Sequence, residues 1–151
     1  MQVFATEAPE GVAVQEVEFL LRSALFKQGC AIMGLLLQQA ADRIDAQYQA
    51  KPGERHKGRV PIQVQGIFGG WKLTRDYYYH EGKKQGHYPA DAALGLEEGC
   101  TPALARLICL EGADETSYQK AENHLAETGG IAVSSRQIQR VAQRVGPMAQ
   151  Q

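Results

Sequence analysis

The residues best suited to chemistry crowd into one short stretch near the end of the sequence. Between Ser134 and Gly146 lie Arg136, Gln139, Arg140, Gln143 and Arg144, interleaved with Ile138, Val141, Ala142 and Val145. At about 100° per residue along a helix, the apolar four fall within roughly 60° of Ile138. The three arginines and two glutamines fall on the opposite side, between about 100° and 240°. Arginine pairs bidentately with guanine and glutamine with adenine, and both reach phosphates. A helix reading a major groove needs this chemistry on one face. Arginine and glutamine are also good helix formers, so a merely solvated face is the alternative. Solvated faces usually mix signs, however, and this one has no carboxylate. Ser134 and Ser135 stand at the N-terminal end of that helix, where backbone N–H groups favour phosphate.

A second set interleaves basic and aromatic groups as nucleic-acid surfaces do: Lys72, Arg75, Lys83 and Lys84 with Trp71, Tyr77, Tyr78 and Tyr79. Strand alternation puts Trp71, Leu73, Arg75, Tyr77 and Tyr79 on one face and Lys72, Thr74, Asp76 and Tyr78 on the other. Arg75 among aromatic rings reads equally as a stacked core residue. His80 and His87 are close in sequence, but two ligands without a third hold a metal weakly, and both are expected to be ordinary loop residues. Cys30, Cys100 and Cys109 have neither zinc spacing nor a disulfide pattern and are expected to be small buried apolar side chains. No cluster resembles a nucleophile with its base, a P-loop or a Rossmann glycine pattern. No enzymatic activity, cofactor or metal is expected.

The elements that must position these residues follow from period and punctuation. The 151 residues allow one compact domain or two small modules, with an ordinary 44% hydrophobic and 22% charged composition. Residues 1–50 are free of proline from Val12 to Tyr48, and Val14, Val17, Leu21, Leu25, Ile32, Leu35, Leu36, Ile44 and Tyr48 recur at helical steps. They predict a long amphipathic helix, or two hinged near Gly29 or Gly34, entered near Pro9 and closed by Pro52-Gly53. Part of its stripe is expected to meet a second copy or another part of the protein. Residues 51–100 open with a basic linker to Arg59. Val60, Ile62, Val64 and Phe68 then read as a strand, and Gly69-Gly70 as the turn of a hairpin continuing through Trp71–Tyr79. His80–His87 reads as a loop.

In residues 101–151, Thr101-Pro102 starts a helix that runs to about Leu110. Thr116 with Gln119, and Ser134 with Gln137, fit the capping box that opens two more. Gly129-Gly130 ends the first of these and Gly146-Pro147 the second. Tyr118, Ala121 and Leu125 face Ile138, Val141, Ala142 and Val145, with Ile131 and Val133 at the corner, which predicts a helix-turn-helix. The expected fold is therefore mainly helical α+β: a long N-terminal helix, a β-hairpin, and a C-terminal three-helix unit. The longest uninterrupted apolar run is too short for a membrane helix, and the acidic N-terminus is no signal peptide, so the cytoplasm is the expected compartment. The net charge of −1 conceals blocks: net +5 over residues 51–87 and −5 over residues 88–116. Such segregation suits a local polyanion-binding face.

From Gly70 to Gly146, about half of the chain, the sequence resembles the N-terminal half of the ISKra-type insertion-sequence transposases. The residues that carry the likeness, in order, are Leu73-Thr74-Arg75, Tyr77-Tyr78-Tyr79, Tyr88-Pro89-Ala90-Asp91, Leu94-Gly95-Leu96, Thr101-Pro102, Gly112-Ala113, Ser117-Tyr118 with Ala121, and Val133-Ser134. The resemblance implies a DNA-binding region that recognises the element's terminal inverted repeats in double-stranded DNA. In the family an RNase H-like domain follows, which cuts and joins DNA with carboxylate-held metal. This sequence reaches Gln151 without one, so a fragment lacking catalysis is expected. The family's usual Cys-x-x-Cys is replaced by His80-Glu81-Gly82-Lys83, so no zinc site carries over. The alternative function is an interaction module without DNA binding, which self-associates or docks on a separate catalytic chain, or a decayed remnant.

Overall fold

A computed structural model describes residues 13–110, 118–126 and 133–149. Among them are five helices and a three-stranded antiparallel sheet: α1 (Val14–Gln47), β1 (Glu54–Gly66), β2 (Gly69–His80), β3 (Gln85–His87), α2 (Pro89–Leu94), α3 (Pro102–Leu110), α4 (Tyr118–His124) and α5 (Ser135–Ala149). The fold is α+β, with a long N-terminal helix followed by a hairpin.

The hairpin is longer than expected and turns elsewhere. Gly66 pairs with Gly69, so Ile67-Phe68 forms the loop and Gly69-Gly70 opens β2. The supposed basic linker is strand, because Glu54, Arg55 and His56 pair with His80, Tyr79 and Tyr78. A one-face pattern of large apolar residues is absent there, and the pairing is held by rings and charges instead. His80–His87 is not all loop either: Gln85–His87 turns back as β3 against Tyr78–His80.

With a two-residue loop closed by Gly66 and Gly69, alternate residues of β2 direct their backbone groups away from β1. Helix α1 lies along that outer edge and caps it. The Cys30 thiol donates to Gly70 O at 3.1 Å. Gln38 bonds Thr74 twice, Nε2 donating to the carbonyl at 2.8 Å and Oε1 accepting from the N–H at 3.0 Å. Asp45 Oδ2 accepts from Asp76 N–H at 3.0 Å. A helix thus stands where an open edge would invite another strand. The other edge, on β1, is met by Gln65 N–H donating to Gly99 O and Thr101 N–H donating to Gln65 O. Pro61 is paired with Thr74, so its missing donor lies on the outer side, where it costs no ladder bond.

Helix α1 runs unbroken, so Gly29 and Gly34 are not hinges. A Cβ on Gly29 would come within 2.9 Å of the Phe68 ring, and one on Gly34 would rest 3.5 Å from Trp71. The apolar stripe read from the sequence marks two sides of the helix. Leu37, Ala41 and Ile44 pack with Val64, Leu73, Ala90 and Leu96. Val14, Leu21, Leu25, Ile32, Leu35 and Leu36 remain exposed. The most apolar 18-residue window of α1 has a mean hydropathy of 1.4 and is unburied, long and apolar enough to cross a membrane. Counting uninterrupted apolar residues missed this, because isolated Arg22 and Lys27 lower the average little.

A second core joins α3, α4 and α5: Cys100, Leu104, Ala105 and Ile108 meet Tyr118, Ala121, Leu125, Val133, Ile138, Val141 and Ala142. Thr101 caps α3, with Leu104 N–H donating to its Oγ1 at 3.4 Å. Two short elements were not foreseen. Pro89 opens α2, which ends at Gly95 in the left-handed conformation. Glu97 and Cys100 then exchange two backbone hydrogen bonds around Glu98-Gly99, both at positive φ (53° and 73°). The expected stop at Gly146-Pro147 is not observed; α5 continues through Pro147, which lacks one donor in the last turn. Pro9, Thr116, Gly129-Gly130 and Ile131 lie outside the described residues, as does the side chain of Val145.

Candidate nucleic-acid interface

Helix α5 begins as its sequence dictates. Gln137 N–H donates to Ser134 Oγ at 3.2 Å, and Ile138 N–H to Ser134 O at 3.0 Å, so Ser134 is the N-cap. Ile138, Val141 and Ala142 are buried against α3 and α4, as the wheel requires. Arg136, Arg140, Gln143 and Arg144 are exposed on the other side, with Gln139 half-buried. From Ser135 to Ala149 the helix has no acidic residue.

Carboxylates reach this helix from elsewhere. Glu122 of α4 accepts a hydrogen bond from Ser135 N–H at 2.7 Å. At Ser134 and Ser135, where phosphate was expected, a protein carboxylate takes the Ser135 N–H and the Ser134 hydroxyl caps the helix. At the other end, Arg144 pairs with Glu98 at 2.8 Å and with Glu97 at 3.8 Å. The acidic turn after α2 therefore reaches the polar side of α5. None of these three carboxylates was legible as a neighbour of the helix, since all come from other elements.

Among the middle-region residues, Arg75 turns away from solvent and Lys83 and Lys84 lie at the far end of the hairpin. Arg75 is 3% exposed. Its Nε and Nη2 donate to the two oxygens of Asp91 at 2.8 and 2.9 Å, and Nη1 donates to Val60 O at 2.9 Å. Its guanidinium lies 3.6 Å over the Tyr88 ring. All three guanidinium nitrogens donate inside the protein and the side chain is buried, so the stacked-core reading describes Arg75. Lys72, Lys83 and Lys84 are exposed. Lys83 and Lys84 lie in the turn after β2, while the helical unit meets the hairpin's opposite end at Gln65 and Ile67. Strand rise sets these ends about 35 Å apart. The rings, too, pack inward: Tyr77 against Tyr88 at 4.8 Å, Tyr78 against Tyr48 at 4.7 Å and His56 at 5.3 Å. Trp71 is half-buried, with its indole nitrogen enclosed.

One further cluster escaped sequence reasoning. The Tyr48 hydroxyl donates to Glu54 Oε2 at 2.6 Å, and His87 Nε2 lies 3.0 Å from Glu54 Oε1 and 3.2 Å from the Tyr48 hydroxyl. The Tyr48 hydrogen bond, with help from Lys51 N–H and His87, holds the Glu54 carboxyl below its ordinary range. Burial, then Glu54 itself, pushes the Tyr48 phenol up to about 12. These groups clamp the end of α1 to β1 and β3. Nearby, desolvation raises the Asp45 carboxyl, although Asp76 N–H and Arg59 act the other way.

No family model matches the chain, and no curated protein is similar to it. The physical case for a function therefore rests on α5 and on α1.

Proposed function

We propose that the chain binds double-stranded DNA through α5, acting as the DNA-binding N-terminal portion of an ISKra-type transposase that recognises terminal inverted repeats. In this reading α4 and α5 form the helix-turn-helix, and α5 is its recognition helix. The observation that carries it is the sidedness of α5: an apolar face buried against α3 and α4, and an acid-free face exposing Arg136, Arg140 and Gln143. Arg144 belongs to that face once its exposed bridge to Glu98 is exchanged for phosphate, and exposed bridges are worth only about 0–1 kcal/mol. Tyr77–Tyr79, Tyr88–Asp91 and Thr101-Pro102, which carry the family resemblance, build the hairpin, the start of α2 and the α3 entry.

The test is fluorescence anisotropy with the flanking inverted repeat and a scrambled duplex at two salt concentrations. Tighter binding to the repeat is expected, weakening steeply with salt by about 0.9 log units per phosphate contact per log unit of salt. Arg136→Ala/Arg140→Ala should abolish the preference, since each base contact contributes about 1–3 kcal/mol. Absence of binding to either duplex overturns the reading. The exposed apolar residues of α1 favour a second reading, an interaction module, whose association should hardly respond to salt.

A further inference from the structure

We propose that α1 is a dimerisation helix, pairing with α1 of a second copy of this chain along the side turned away from the sheet. Phe26, Cys30, Leu37, Ala41 and Tyr48 face the hairpin and its core. At about 100° per residue, Val14, Leu21, Leu25, Ile32 and Leu35 point roughly 180° away from that set. They are 72%, 41%, 57%, 55% and 68% exposed. Successive spacings of seven, four, seven and three residues are those of a two-helix seam, in which each side chain enters a hole on the facing helix. Gln28 supplies the layer between Leu25 and Ile32, a polar position that fixes register at some cost in stability.

A second copy is the occupant this seam fits. Its repeat is matched by another helix of the same length and period. From Leu21 to Leu35 the seam positions are uncharged, with Arg22 the charge immediately beside them; Glu18, in the layer between Val14 and Leu21, marks the N-terminal limit of that uncharged stretch. Two such faces with their flanks, Leu36 included, would remove on the order of 1,200 Å² from water, the lower end of specific interfaces. The sheet covers the opposite side of α1 and leaves the approach open. A bilayer would accept the same leucines, but the last turns of α1 hold Asp42 and Asp45 in a network with Arg59, at 2.7 and 3.9 Å.

Dimerisation through α1 is independent of α5 and is measured without DNA. Sedimentation equilibrium of the full chain should give a dimer, with a melting temperature that rises with concentration. Leu25→Gln/Ile32→Gln should be monomeric with an unchanged helical circular dichroism signal, because both residues are exposed in the single chain. Gln28→Leu should tighten the dimer roughly tenfold, replacing a polar layer by an apolar one. A wild-type monomer at every concentration overturns the proposal. So does a Gln28→Leu protein no more associated than wild type. Binding to phosphatidylcholine vesicles by a protein that stays monomeric without them assigns the face to lipid instead.

Discussion

Arg75 and Arg144 carry the same guanidinium in opposite surroundings. Arg75 is enclosed by Asp91, Val60 O and the Tyr88 ring, whereas Arg144 is 61% exposed beside Glu98. Removing one partner of a buried pair leaves the other unpaired and costs about 3–5 kcal/mol. Arg75→Ala should therefore lower unfolding free energy in urea by about 3 kcal/mol, since Asp91 keeps some solvent contact. Arg75→Lys should recover only part of it, because an ammonium cannot make the bidentate contact. Neither change should alter the salt dependence of DNA binding; a shallower slope would return Arg75 to the interface. Glu54 provides a pH test. Its folded pKa is depressed chiefly by the Tyr48 hydroxyl, so its stabilisation is complete above the ordinary value of 4.5 and is lost as pH falls through the lower folded value. Tyr48→Phe should then melt earlier than wild type at neutral pH. That gap should close on acidification, and a gap that persists at low pH would show that the hydroxyl acts otherwise.

At the scale of elements, α1 shows what sequence reading captured and what it missed. Its existence and length were legible, because the stretch from Val14 to Gln47 has no proline to break a helix. Its packing was not, because apolar residues occupy two sides and nothing local says which side meets a sheet. The glycines were misread for the same reason: Gly29 is a seat for Phe68, a residue 39 positions away. The hairpin was legible, but its turn was not. Gly69-Gly70 is the stronger dipeptide, yet strand pairing from Val64 to Trp71 centres the loop on Ile67-Phe68. The sidedness of α5 from Arg136 to Arg144 was readable, since a wheel needs only the helix itself; Glu122 and Glu98 beside it required the fold. The two α1 glycines make a matched test. Alanine in a helix interior is favoured over glycine by about 1 kcal/mol. At Gly34 an added Cβ makes only ordinary contact with Trp71, so Gly34→Ala should raise stability by about that amount. At Gly29 the Cβ would press on Phe68 at 2.9 Å, so Gly29→Ala should gain nothing or lose stability. Thermal denaturation of the two proteins checks the pair, and equal gains would mean that Phe68 does not pack on Gly29.

Over the whole molecule, the charge blocks of the sequence fold onto one another. The +5 block of residues 51–87 does not become a basic surface of that size. Arg59 is met by Asp42, Asp45 and Asp76, Arg75 by Asp91, and Arg55 by Glu81 at 3.8 Å. Much of the opposing charge comes from the acidic segments on either side, so block sums overstate what solvent meets. The same logic governs α5. Its acid-free face is shadowed by Glu97 and Glu98, held there by a turn that also caps the edge of β1 through Gly99 O. If α5 meets DNA, that turn competes with phosphate for Arg144 and repels the backbone nearby. Glu97→Gln/Glu98→Gln keeps the turn's shape and removes both charges. DNA affinity should rise several-fold at low salt, with a slope steeper by about 0.9 as Arg144 gains a phosphate. Stability should change by less than about 1 kcal/mol, since the lost bridges are exposed. Adding Arg144→Ala to that double variant should cancel the steeper slope. Unchanged affinity after neutralising the turn would place Arg144 outside the DNA contact and confine the readout to Arg136, Gln139, Arg140 and Gln143.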